Sequence, residues 1–136
     1  MIIDDDDVNN FICQKIIEKS KFADHVIACT SASEGLDFID SAMAGEHLLP
    51  DLILLDLNMP VMSGWDFLEE FRKKAAAIQQ QIVIIVLSSS VYHEDINRAK
   101  AYPEVADYNS KPITFDMLQK IRETYFNKQP DEQPAG

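Results

Sequence analysis

The sequence lacks the features that mark membrane-spanning and secreted proteins. No apolar run approaches the roughly 20 residues that a helix needs to cross a bilayer. The first residues, Met1-Ile2-Ile3-Asp4, contain neither the basic region nor the long apolar region of a signal peptide. These absences predict a cytoplasmic protein that does not bind membranes.

Positive charge and cysteine are also scarce. The 136 residues include 23 Asp and Glu but only 12 Lys and Arg, which gives a net charge of −11. This charge argues against direct binding to nucleic acid, because the phosphates would repel the chain. The two cysteines, Cys13 and Cys29, lie in apolar stretches without the spacing of metal ligands. We therefore interpret them as buried thiols of a reducing compartment.

Apolar runs and amphipathic segments alternate along the chain, and the length suits one domain with a sizeable core. Ser33 is the expected N-cap of the second helix. The pattern predicts strands at residues 2–3, 25–30, 51–55, 82–87 and 105–109, and helices at about 8–20, 33–44, 64–77, 93–101 and 114–126. This alternation predicts a single α/β domain over residues 1–127, with a doubly wound parallel sheet. Residues 128–136 are predicted to form a flexible tail.

Reactive side chains follow the predicted strands. In a parallel sheet, functional residues gather beyond the carboxyl ends of the strands. Asp4 to Asp7 follow the first strand, Asp56 the third, Ser88 the fourth and Lys111 the fifth. Taken singly, these residues are ordinary loop, capping or surface residues. Their conjunction at one sheet edge favours a functional site.

The acidic residues of this set suggest a metal ion. Carboxylates held close together raise each other's pKa, and a cation relieves that repulsion. Oxygen ligands with open coordination positions suit Mg²⁺. An EF-hand is excluded, because a loop that began at Asp4 would place Val8 and Asn9 where an oxygen ligand and a glycine are needed.

Three segments resemble the receiver family of two-component response regulators: Ile3-Asp4-Asp5-Asp6, the stretch Leu54-Leu55-Asp56-Leu57-Asn58-Met59-Pro60-Val61-Met62-Ser63-Gly64, and Tyr108-Asn109-Ser110-Lys111-Pro112. The resemblance covers the chain from Met1 to about Phe126. It implies a flavodoxin-like (βα)5 fold with five parallel strands in the order 2-1-3-4-5.

The resemblance also implies a role for each acidic residue. Asp56 corresponds to the phosphoacceptor, which takes a phosphoryl group from a phosphohistidine of a sensor histidine kinase or a histidine phosphotransfer protein. Asp5 and Asp56 would bind Mg²⁺ directly, Asp4 would act through a water molecule, and the backbone carbonyl of Asn58 would be a further ligand.

The remaining site residues resemble the catalytic and switch positions of the family. Lys111 corresponds to the family lysine, Ser88 to the switch hydroxyl and Tyr108 to the aromatic switch residue. Phosphoryl transfer depends mainly on positioning and charge stabilisation, which Lys111 and Mg²⁺ can supply. We also expect a cis peptide bond between Lys111 and Pro112.

The resemblance implies a stand-alone receiver that is not an enzyme beyond catalysing its own phosphorylation and dephosphorylation. Only about ten residues follow Phe126, so we expect output through binding of an unknown protein target, by a monomer or a weak phosphorylation-dependent dimer. Two alternatives remain. A haloacid-dehalogenase-like phosphatase would need an aspartate where Asn58 stands, together with a cap domain. A pseudo-receiver would keep the fold without the chemistry, although no member of the set is missing here.

Overall fold

The computed structural model describes residues 1–90 and 92–126, and its centre is a parallel five-stranded sheet. The strands are β1 (Ile2–Ile3), β2 (Ala28–Cys29), β3 (Leu52–Leu55), β4 (Val83–Ser88) and β5 (Val105–Ser110). The helices are α1 (Asp7–Ser20), α2 (Ala32–Met43), α3 (Gly64–Ala75), α4 (His93–Lys100) and α5 (Phe115–Ile121), the last continued by a π-helical turn, Arg122–Phe126. The strand order is β2-β1-β3-β4-β5, so the predicted doubly wound fold is confirmed.

Except for Ser88 at the end of β4, the central strands are apolar because both faces of the sheet are covered. Adjacent strand residues point to opposite faces, so Ile2 and Leu54 pack on the side of α1 and α5. Ile3 and Leu55 pack on the other side, with α2 and α3. Two cores therefore fix the sheet from both sides, and the ends of β1 and β3 are held in a defined position.

The second strand is shorter than the predicted 25–30. Only Ala28 and Cys29 form strand pairs, and their partner β1 is itself two residues long. The N–H of Ile2 donates to the carbonyl of Ile27 at 2.7 Å, which marks the start of the paired region. An edge strand can extend only as far as its neighbour offers partners, so periodicity overestimated its length.

The expected N-cap of α2, Ser33, was wrong. The cap is Ser31, whose Oγ accepts a hydrogen bond from the N–H of Glu34 at 3.0 Å. The carboxylate of Glu34 accepts in return from the N–H of Thr30 at 2.8 Å. The two candidate caps, Ser31 and Ser33, are both serines, so residue type does not distinguish them. The pair of bonds made with Glu34 selects Ser31.

At the C-terminal end of the described chain, α5 ends earlier than predicted. Its α-helical part stops at Ile121 and the π-helical turn carries the chain to Phe126. The predicted tail, residues 128–136, lies outside the described residues. The expected cis bond between Lys111 and Pro112 is confirmed. Within residues 1–90 and 92–126, no helix is long and apolar enough to span a bilayer.

Val61 adopts a left-handed backbone conformation, with φ of 68°, and its side chain is fully exposed. This conformation costs a residue with a Cβ roughly 1–2 kcal/mol, and an exposed side chain offers no packing to offset it. We expect Val61→Asn to raise the free energy of unfolding by about 1 kcal/mol in a urea titration, because asparagine tolerates this region. Val8→Asn, at an exposed helical valine, is the control and should bring no gain. Lower stability of Val61→Asn would contradict the prediction.

Candidate functional site

Three of the predicted residues meet at the carboxyl ends of β1, β3 and β5. Asp4 follows β1 and Asp56 follows β3, and both are buried, with exposures of 2% and 5%. Lys111 follows β5 and reaches between them. Its Nζ lies 2.6 Å from Oδ2 of Asp4 and 3.4 Å from Oδ1 of Asp56. The N–H of Asp56 donates to the carbonyl of Ile3 at 2.9 Å, which fixes the two acidic strand ends relative to each other.

Asp5 completes a group of three carboxylates. One oxygen from each of Asp4, Asp5 and Asp56 can be chosen so that all three lie within 4.8 Å of one another. Asp5 is exposed, so its carboxylate faces the solvent side of this group. Asn58, two residues beyond Asp56, is also exposed. Such an oxygen cluster, open on one side, could hold a hard divalent cation.

The carboxylate of Asp4 is already engaged in hydrogen bonds. Its Oδ1 accepts from the N–H of Asp6 at 2.9 Å, and its Oδ2 accepts from Nδ2 of Asn9 at 2.8 Å in addition to the Lys111 contact. Asp4 is therefore the acid of the group whose oxygens are most committed to the protein itself.

The pKa values of Asp56 and Lys111 are both raised, but for different reasons. Burial, and next the charge of Asp4, raise the pKa of Asp56 to about 6, although Lys111 partly offsets them. Burial lowers the pKa of Lys111, but the hydrogen bond to Asp4 and the charges of both acids outweigh it, so this pKa is raised. Lys111 thus stays a cation, while Asp56 carries an energetically unfavourable charge near neutral pH.

Gly64 brings α3 close to the backbone of Asp56. The N–H of Gly64 donates to the carbonyl of Leu57 at 2.9 Å, and a Cβ at position 64 would lie 2.3 Å from the Asp56 carbonyl oxygen. Ser63 and Asp66 then form a capping box that starts the helix. Glycine is therefore needed at position 64 because the start of α3 lies against the backbone of Asp56.

The two predicted switch residues lie on the neighbouring strands β4 and β5. Ser88 ends β4 and is fully buried, and its Oγ accepts a hydrogen bond from the N–H of Ser90 at 3.1 Å. The hydroxyl of Tyr108, a half-buried residue of β5, donates to the carbonyl of Ser90 at 2.9 Å. The structure therefore joins Ser88 and Tyr108 through Ser90.

Sequence reasoning missed the residues that hold Asp4. Besides the Asn9 bond, Nδ2 of Asn10 donates to the backbone carbonyl of Asp4 at 2.9 Å. Asn10 is buried on the same face of α1 as Cys13 and Ile17. An asparagine in line with apolar helix positions was the available signal, because a buried amide needs a hydrogen-bond partner.

A family model described as the response regulator receiver domain matches residues 1–123. The chain belongs to this family. A two-component response regulator from Cytophaga hutchinsonii is 29% identical, with a TM-score of 0.82 over 90% of this chain and 91% of that one. Receivers serve two-component phosphorelay signalling and interact with histidine kinases or phosphotransfer proteins.

Curated relatives differ in how much of their own length the receiver covers. The probable methanogenesis regulatory protein FilR2 of Methanothrix harundinacea is 24% identical over 90% of this chain and 77% of its own. The sensory/regulatory protein RpfC of Xanthomonas campestris is 33% identical over 53% of this chain. This receiver matches only 9% of RpfC, which is therefore a relative in one segment alone.

Proposed function

We propose that this receiver accepts a phosphoryl group on Asp56 from a histidine kinase or a histidine phosphotransfer protein. The observation that carries the proposal is the placement of the Asp56 carboxylate at the end of β3, beside the carboxylates of Asp4 and Asp5 and 3.4 Å from the Lys111 ammonium. A carboxylate nucleophile next to a fixed cation is the arrangement that phosphoryl transfer requires.

In the proposed transfer, an oxygen of Asp56 forms a bond to phosphorus while the P–N bond to the donor imidazole breaks. The electron pair of the broken bond stays with the imidazole. Lys111 then offers its ammonium to the phosphoryl oxygens, where negative charge is concentrated. The phosphoryl group stays attached to Asp56 until water attacks the phosphorus and releases inorganic phosphate, so the proposed catalysis is limited to phosphorylation and dephosphorylation of the chain itself.

The donor set fits Mg²⁺, since a hard cation prefers a few carboxylate oxygens and keeps several waters. We assign Asp5 and Asp56 as direct ligands, together with the backbone carbonyl of Asn58. The role through water falls to Asp4, because its oxygens already accept bonds from Asp6, Asn9 and Lys111. When bound, Mg²⁺ neutralises charge on the phosphoryl oxygens.

The response to phosphorylation would begin at Ser88. Its hydroxyl can donate to a phosphoryl oxygen on Asp56, and Tyr108 would follow because both contact Ser90. Such a response is a population shift that depends on contacts made in one state only. We propose that the shifted surface of α4, β5 and α5 binds a protein target. No comparison supports the phosphatase alternative.

Intact mass spectrometry after incubation with Mg²⁺ and acetyl phosphate tests the proposal. We expect a labile gain of one phosphoryl group on the wild-type chain and no gain with EDTA or in Asp56→Asn. Lys111→Met should reduce the incorporation rate by about two orders of magnitude or more, since it removes the fixed cation. Absence of any gain, also with a panel of phosphorylated histidine phosphotransfer proteins, would favour a pseudo-receiver.

A further inference from the structure

The start of α4 lacks the usual helix cap. Its N-cap residue, Tyr92, makes no side-chain hydrogen bond to the first turn. The helix has eight residues, His93–Lys100, of which only Ala99 is buried. A short helix with little burial depends on its terminal hydrogen bonds more than a well-packed helix does.

Ser90 bonds to the start of α4 from outside the helix. Its Oγ donates to Oδ2 of Asp95, in the first turn of α4, at 2.5 Å. The same Oγ accepts from the N–H of Tyr92 at 3.4 Å. A hydroxyl bonded to a carboxylate forms a strong, charge-assisted hydrogen bond. Ser90 is 9% exposed, so water competes little for it.

The backbone of Ser90 contacts the two switch positions. Its N–H donates to Oγ of Ser88 and its carbonyl accepts from the hydroxyl of Tyr108. One residue therefore bonds the end of β4 and the middle of β5 through its backbone, and the start of α4 through its side chain.

We propose that Ser90 is a positioning residue that couples the Ser88 hydroxyl to the stability of α4. The inference rests on the proposed function, because the coupling transmits phosphorylation only if Asp56 is phosphorylated. When Ser88 turns toward a phosphoryl group, its bond to the Ser90 N–H weakens. The Ser90 hydroxyl then shifts relative to Asp95, and the hydrogen bond from Ser90 to the first turn of α4 is lost.

Hydrogen exchange of the unmodified protein tests the coupling without phosphorylation. Ser88→Ala and Ser90→Ala should each speed exchange of the α4 amides by about tenfold, the loss expected for one hydrogen bond. In the double variant, the α4 amides should exchange less than about twofold faster than in the faster of the two single variants. The reason is that the two substitutions interrupt the same chain of hydrogen bonds. Amides of α5 should not change.

Two matched variants control this comparison. Ser89→Ala removes the same group from an exposed neighbour and should leave α4 exchange unchanged. Ser88→Thr keeps the hydroxyl and should preserve slow exchange. Fast α4 exchange in Ser90→Ala but not in Ser88→Ala would overturn the proposal, because Ser90 would then only cap the helix. Multiplying effects in the double variant would overturn it as well.

A second measurement separates this inference from the proposed function. Trp65 is the only tryptophan of the sequence. The Cζ atom of Arg98, in α4, lies 4.1 Å from the centre of the Trp65 ring, so Trp65 fluorescence reports on that helix. With Mg²⁺ and acetyl phosphate, Asp95→Ala should gain the phosphoryl group as fully as the wild-type chain, by intact mass. The change in Trp65 fluorescence on phosphorylation should be less than about half as large in Asp95→Ala as in the wild-type chain. A full change would overturn the coupling. Failure of all variants to gain mass would count against the proposed function alone, because hydrogen exchange still decides the coupling.

Discussion

Asp56→Asn is expected to stabilise the metal-free protein by about 3 kcal/mol near pH 7, because the pKa of Asp56 rises from its ordinary value of 3.8 to about 6 and each unit corresponds to about 1.4 kcal/mol. The pKa of Asp56 is raised to about 6 by burial and by Asp4, whereas the unfolded chain has an ordinary carboxyl. The folded state therefore holds the Asp56 proton more tightly than the unfolded state does. Ionisation of Asp56 consequently destabilises the folded state. Asparagine keeps the shape of the side chain without the charge.

The sign of this effect sets its pH dependence. Below about pH 4, Asp56 is protonated in both states, so the charge costs nothing. Between about pH 4 and pH 6 the unfolded chain ionises first, and the stability contributed by Asp56 falls as the pH rises. The advantage of Asp56→Asn should therefore grow through this window and remain constant above it.

Urea titrations with EDTA at about pH 4.5 and pH 7.5 bracket most of this window. Asp24→Asn, at an exposed loop position, is the control and should show no comparable gain. Adding Mg²⁺ should stabilise the wild-type chain more than Asp56→Asn and narrow the difference, since ligand binding stabilises the folded state. A variant that is less stable than the wild-type chain at neutral pH would contradict the raised pKa.

Gly64→Ala is expected to lower the free energy of unfolding by about 3 kcal/mol or more, which exceeds the usual cost of a tight fit. The added Cβ would lie 2.3 Å from the Asp56 carbonyl oxygen and 2.8 Å from Cα of Leu57. Both contacts are with backbone, and that backbone is held by β3 and by the Gly64–Leu57 hydrogen bond. Relief of the clash must move either α3 or the end of β3.

Gly35→Ala is the matched control for Gly64→Ala. It also lies in a helix next to the sheet, but its Cβ would meet the side-chain tip of Ile3 at 2.6 Å, which can shift. We expect its cost to be about 1 kcal/mol. Urea titrations measure both, and equal losses would contradict the distinction between backbone and side-chain contacts. Phosphoryl incorporation should also fall in Gly64→Ala, because Asp56 moves with the strand end.

Local patterns carried most of the fold. The apolar runs of β3 and β4 indicated strands buried on both faces, and alternation with helices indicated a parallel sheet. The parallel arrangement in turn predicted that Asp4, Asp56 and Lys111 would meet, since the carboxyl ends of parallel strands share one edge. The order of the strands came from the resemblance of the motifs to the receiver family.

The sequence by itself determined the type and order of the elements, the family and the set of reactive side chains, because each depends on short-range periodicity or on local motifs. Only the tertiary structure decided which of them touch. Lys111 lies closer to Asp4 than to Asp56, and Ser90 joins Ser88 to Asp95. These contacts depend on sheet register, helix position and side-chain orientation. Interactions between segments set these features, and no periodicity within one segment encodes them.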